Sequence, residues 1–140
     1  MISDGELNSL VFYERGVGYL NRARKMYRSY NVVKPVLLYS ILSMSIENIC
    51  MFMLMNRNHL PYNHTMADLV ESLEECGLMN QDIKEGMMRI EEVFNLCDLG
   101  VGRPAEPTME EIFDFQCTAE KLLAVADADR PVARRTLVSA

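Results

Sequence analysis

The sequence predicts an all-α protein, an antiparallel up-and-down four-helix bundle with one additional short helix. Three observations point there. Helical periodicity recurs five times along the chain, with apolar residues three and four apart. Strand signals are weak, because no long stretch alternates apolar and polar residues and no Asn-Gly or Asp-Gly turn joins two β-rich runs. The chain has 140 residues, 49% hydrophobic and 24% charged, which suits one ordinary globular domain. The expected division is a bundle over 1–127 and an exposed or mobile tail over 128–140.

The first helix is expected from Asp4 or Leu7 to Ser29, with Phe12, Tyr19, Leu20, Ala23, Met26, Tyr27 and Tyr30 as its apolar face. Gly16 and Gly18 weaken it by up to ~1 kcal/mol each and offer a neighbouring helix a close approach. Asn31 breaks the pattern. The second helix is the apolar stretch Val36–Met55, with Pro35 in the first turn, where proline is tolerated best. It ends around Asn56-Arg57-Asn58, and Pro61 forbids continuation.

The third helix is short. Thr65 is its N-cap, Asp68 three residues on gives a capping-box-like start, and Gly77 ends it. The fourth starts near Asn80 or Gln81 and carries Ile83, Met87, Ile90, Val93, Phe94 and Cys97 on one face. A loop over Gly100–Pro107 leads to the fifth helix, capped by Thr108. Glu110, Glu111 and Asp114 there suit the positive end of the helix dipole. Its core face is Ile112, Phe115, Ala119, Leu122, Leu123 and Ala126.

Charge narrows the function. A net charge of −6 argues against a protein that coats nucleic acid with its whole surface. The charge is also divided. Arg15, Arg22, Arg24, Lys25, Arg28 and Lys34 fall in a stretch with no acid, whereas Asp68–Glu120 holds fourteen acids and three bases. Either the two halves neutralise one another, or the first helix forms an anion site with its tyrosines.

Cys50, Cys76, Cys97 and Cys117 lie twenty or more residues apart, a spacing unlike structural zinc and read as buried free thiols in a reducing cytosol. The acidic N-terminus lacks a signal peptide's apolar run. Val36–Met55 is long enough for a membrane span, but Ser40, Ser43, Ser45, Glu47 and Asn48 interrupt it. The expectation is therefore a fully buried central helix of a soluble bundle, with no membrane contact.

Leu37–Leu73 combines a helix carrying Glu47, an apolar run, a short loop with Pro61 and a helix opening on Asp68-Leu69. With Arg22-Ala23-Arg24 ahead of it and a closing helix from Pro107-Thr108 to Ala126, this layout resembles the HEPN domain (higher eukaryotes and prokaryotes nucleotide-binding) over roughly residues 7–127. The resemblance implies a dimerising helical bundle. It also implies either a metal-independent ribonuclease with an R-x4–6-H motif or an inactive binder of nucleotides or proteins, often beside a nucleotidyltransferase. Arg57 and His64 are six residues apart, within that motif's spacing. Such a His moves a proton from a ribose hydroxyl, and such an Arg holds the scissile phosphate. The chain departs from the family pattern at Met51, where a Lys is common, and at Ala67, where a His is common. The ribonucleases also carry their motif on a later helix.

Glu47 lies in register with Ser40, Ser43 or Met44, and Met51. A buried carboxylate needs a partner, and Arg24 or Tyr27 of the first helix is expected to supply it. His59 and His64 share one loop without a third metal ligand at recognisable spacing. Met51, Met53 and Met55 cannot all face one side of a helix, so they read either as an adaptable core or as an interface. Walker A, G-x-G-x-x-G after a strand, G-x-S-x-G and H-E-x-x-H motifs are absent. The expected function is a cytoplasmic, homodimeric, non-catalytic module binding a nucleotide, RNA or a nucleotidyltransferase-type protein. Arg24, Tyr27, Arg28, Glu47 and Arg57 are its expected ligand-binding residues, and neither metal nor cofactor is expected. A ribonuclease using Arg57 and His64 is the alternative, and a structural dimeric protein unrelated to HEPN is a third reading.

Overall fold

A computed structural model describes residues 4–29, 33–98 and 106–129, and the side chains of 8–29, 33–93 and 106–129. The described residues form five helices and no strand: α1 (Asp4–Tyr27), α2 (Pro35–Met55), α3 (Met66–Glu75), α4 (Gln81–Asp98) and α5 (Met109–Asp129). The protein is an all-α helical bundle. Tyr30, Asn31, the side chains of Phe94 and Cys97, the Gly100–Ala105 part of the expected loop and residues 130–140 of the expected tail lie outside the described residues. α5 includes residues 128 and 129, the first two of the expected tail.

Local chemistry sets the helix ends. Thr65 accepts from the Asp68 backbone N–H at 3.1 Å, and Thr108 accepts from that of Glu111 at 3.1 Å. Glu111 reaches back to the Thr108 N–H at 2.9 Å, so α5 opens on a full capping box. Asn80 caps α4 by accepting from the Ile83 N–H at 2.9 Å. At the end of α2, Asn58 takes the left-handed conformation at φ 53° and His59 N–H returns to Leu54 O at 3.0 Å. Gly77 at φ 70° does the same work after α3.

α2 sits against α1, α3 and α5, while α4 packs on α3 and α5. This explains why α2 is apolar on most of its circumference: Leu42, Ile46, Ile49, Phe52 and Met53 are fully covered, facing different neighbours. By length and composition α2 is apolar enough to cross a membrane, and 56% of its most apolar window is buried within the chain. The expectation of a fully buried helix needs correction, because Val36, Leu37, Ser40 and Met44 stay exposed. Met51 and Met53 are core residues.

At Gly16 the backbones of α1 and α2 approach closely. A Cβ there would stand 2.6 Å from Ile49 Cγ1 and 3.1 Å from the Ile49 backbone nitrogen. Ser45 Oγ donates to Gly16 O across the same contact at 2.7 Å. Gly18 meets nothing, so only one of the two glycines serves a close approach. Contacts also give the helix directions. The Tyr13 ring lies tilted against that of Phe52 while Gly16 faces Ile49, so α1 and α2 run oppositely. Tyr13 hydroxyl donates to Asp127 and Tyr27 lies by Phe113, so α1 and α5 also run oppositely. Lys121 pairs with Asp82 and Arg89 with Glu111, which sets α4 against α5 in the same way.

Candidate functional site

The loop over 56–65 carries both histidines, and each is tied to a helix. His59 Nε2 lies 2.9 Å from Glu75 Oε2 at the end of α3. His64 Nδ1 lies 2.5 Å from Glu47 Oε1 in the second half of α2. The left-handed turn at Asn58 reverses the chain, and these two contacts lay the loop back along α2. The Thr65 cap then starts α3 immediately after His64. The pairing is an ion pair when the imidazole is protonated and a hydrogen bond when Nδ1–H alone donates.

Beside this pair lies a cavity of about 530 Å³, a size that suits a small organic molecule. α2 lines it with Tyr39, Ser43, Met44 and Glu47, the α3 start with His64, Thr65 and Met66, and α4 with Glu91. Among the described residues neither Arg nor Lys lines it. Glu91 is half-buried and has no ion-pair partner among the described residues. Ser43 is unusual for a helix serine. Ser40 Oγ donates to Val36 O at 3.1 Å and Ser45 Oγ to Gly16 O, but the Ser43 hydroxyl is covered and has no partner among the described residues. A covered hydroxyl left so costs about 1–3 kcal/mol.

The expected site residues are not gathered in one place. Glu47 and His64 meet, but no described contact joins His64 to Arg57. Both terminal guanidinium nitrogens of Arg57 instead donate to the Asp129 carboxylate at the end of α5. That hydrogen bond is the main cause holding the Arg57 pKa above the usual guanidinium value. The partner expected for Glu47 is corrected as well. Arg24 pairs with Glu120 of α5, and the Tyr27 ring lies 6.4 Å from that of Phe113, so neither serves Glu47. Glu47 is also half-exposed, with 34% of its side chain open, so an imidazole at the surface is partner enough. Arg28 is exposed, with no described partner.

Tyr39, Ser43 and Glu91 were not among the expected site residues. The three- and four-residue steps from Ser40 through Ser43 to Glu47 put a polar line along an apolar helix. That line was the available signal for this wall. Glu91 had none, because it adjoins the core residue Ile90 on a helix rich in acids. Tyr39 hydroxyl donates to Ile90 O at 3.0 Å and so fixes α4 beside the cavity.

Cys50, Cys76 and Cys117 are free thiols. Cys50 is wholly buried, and burial first, then the charge of Glu47, push its thiol pKa well up. Among the described residues, no three His, Cys, Asp or Glu side chains are gathered as a metal ion requires. No protein-family model matches the chain, and neither does any curated protein or solved structure.

Proposed function

We propose that the chain is a non-catalytic binding module of HEPN-like layout that takes the phosphates of a nucleotide or RNA on the outer surface of α1. One observation carries this reading. Arg15, Arg22, Lys25 and Arg28 are exposed along α1 and the turn after it, and none has an acidic partner among the described residues. Arg24, tied to Glu120, is the exception that neutralises acid within the fold. Rows of open cations attract phosphate in a salt-dependent way without base-specific chemistry. Of the expected ligand-binding set, Arg28 is the member left open for this role.

In this reading α1, α2, α4 and α5 form the up-and-down four-helix bundle and α3 is the short addition. The opposed directions within the pairs α1–α2, α1–α5 and α4–α5 support that arrangement. The exposed Val36 and Leu37 of α2 supply apolar surface for a homodimer. A nucleotidyltransferase-type partner would supply any chemistry, and the setting is cytoplasmic. The test is fluorescence anisotropy with a short labelled RNA and a labelled ATP analogue at low and moderate salt. The wild type should bind and weaken with salt, and the triple variant Arg22→Gln, Lys25→Gln, Arg28→Gln should bind at least tenfold more weakly. Equal binding by both proteins, or none by the wild type, overturns the reading.

A second reading rests on the Glu47–His64 contact, since a carboxylate that orients an imidazole is an arrangement for proton transfer. It makes the chain a metal-independent ribonuclease in which His64 carries the proton and Arg57 leaves Asp129 for the scissile phosphate. Cleavage of a mixed RNA pool in EDTA that disappears in His64→Ala supports it. No cleavage by the wild type removes it.

A further inference from the structure

The cavity beside Glu47 and His64 has a chemistry opposite to that of the α1 surface. Among the described residues its charged lining is Glu47, Glu91 and His64, with no Lys or Arg to hold a phosphate. Even with the imidazole protonated, two carboxylates outweigh one cation, so an anionic occupant is repelled. Glu91 has no described ion-pair partner, although Lys84, Arg89 and Lys121 on its own and the neighbouring helix all have acids. Glu47 offers His64 one carboxylate oxygen, Oε1. The rest of the wall sets the thioethers of Met44 and Met66 and the ring of Tyr39 beside the small side chains of Ser40, Ser43 and Thr65. Methionine sulfur and an aromatic face both favour a flat, polarisable body, and the aromatic face also favours a cation.

We propose that this cavity is a binding site for a small organic cation, a protonated primary amine on a flat apolar or aromatic body. The ammonium lies between Glu47 and Glu91, and the body lies against Met44, Met66 and Tyr39. His64 acts as a positioning residue that holds the Glu47 carboxylate at the mouth. This site is separate from the phosphate-binding surface proposed for α1, and neither depends on the other.

The test uses the full chain and three probes of nearly the same shape: tryptamine, its neutral alcohol tryptophol and the anion indole-3-propionate. Binding is followed by amide chemical-shift mapping. Tryptamine should shift the amides around Ser43, Glu47, His64 and Glu91 saturably and bind about tenfold more tightly than tryptophol, as a charge-assisted hydrogen bond requires. Indole-3-propionate should not compete. Glu91→Gln, a change on a half-buried side chain that carries no described fold contact, should bring tryptamine down to the affinity of tryptophol. Equal binding of the amine and the alcohol, unchanged tryptamine affinity in Glu91→Gln, or shifts that map elsewhere each overturn the proposal. RNA binding by α1 in the same protein remains a separate readout, so loss of one leaves the other standing.

Discussion

On the side of α2 that faces α1, two backbones meet at Gly16, and Ser45 spans the contact with a 2.7 Å hydrogen bond to a backbone carbonyl. On the side that faces α3 and α4, the same helix borders about 530 Å³ of cavity and carries a covered serine hydroxyl with no described partner. One helix therefore holds a tightly closed contact and an open one, and small residues serve both. Gly16 removes a side chain so that helices touch. Ser40 and Ser43 keep side chains small where helices do not. The difference teaches that α2's apolar composition reports coverage by neighbours, while the exposed Ser40 and the half-exposed Glu47 report what those neighbours leave uncovered.

The largest effect should come from breaking the closed side. In Gly16→Ala the new methyl would lie 2.6 Å from Ile49 Cγ1, with backbone atoms of Ile49 and Ser45 at 3.1 and 3.2 Å. Ile49 is fully buried and has nowhere to retreat, so the helices must separate. Overpacking of this kind costs about 1–3 kcal/mol, and better helix propensity returns at most ~1. A net loss of about 1–2 kcal/mol is expected, read as a lower urea midpoint with unchanged slope. A variant as stable as the wild type would show that the contact opens freely.

The next effect concerns Cys50, on the core side of the turn that also carries Glu47. Its folded-state pKa is raised, so its contribution to stability is present below the unfolded value of 9.0 and is lost as pH rises above it. The unfolded thiol ionises first and draws the equilibrium toward the unfolded chain. Between pH 9 and 10 this amounts to about 1 kcal/mol. Cys50→Ala should have a lower stability at pH 7 and a shallower fall across that interval. Parallel curves for the two proteins would mean that the thiol ionises without unfolding.

Much of the fold was legible because its signals are local. Thr65 and Thr108 cap helices through partners three residues away, and Pro35 opens α2 at its own position. The site was legible only in pieces. Glu47 and His64 each stood out, but their meeting depends on a chain reversal at Asn58 and on His59 reaching Glu75, neither of which periodicity encodes. Arg57 and His64 have a suggestive spacing, yet the guanidinium goes to Asp129, seventy-two residues on. Charged side chains find partners across the fold, and their spacing along the chain carries little of that information. Glu91 reaches the cavity by way of α4's packing against α3 and α5, a fact of tertiary structure alone.

The smallest prediction sharpens the same comparison within α1. Gly18 stands two residues from Gly16 and exposes its α-carbon to open space, with nothing within 4 Å of an added Cβ. It is an exposed position, so a methyl there displaces no neighbour. What remains is the helix propensity difference, which favours Ala by about 0.8–1.0 kcal/mol. Gly18→Ala should therefore raise the urea midpoint while Gly16→Ala lowers it, although the two changes are chemically identical. Part of the gain arises in the unfolded chain, which loses glycine's backbone freedom, so it should persist at high salt where charge effects on basic α1 are screened. If Gly18→Ala were also destabilising, the cost of Gly16→Ala could no longer be assigned to Ile49. Both losses would then point to a helix that needs its glycines for its own backbone rather than for its neighbour.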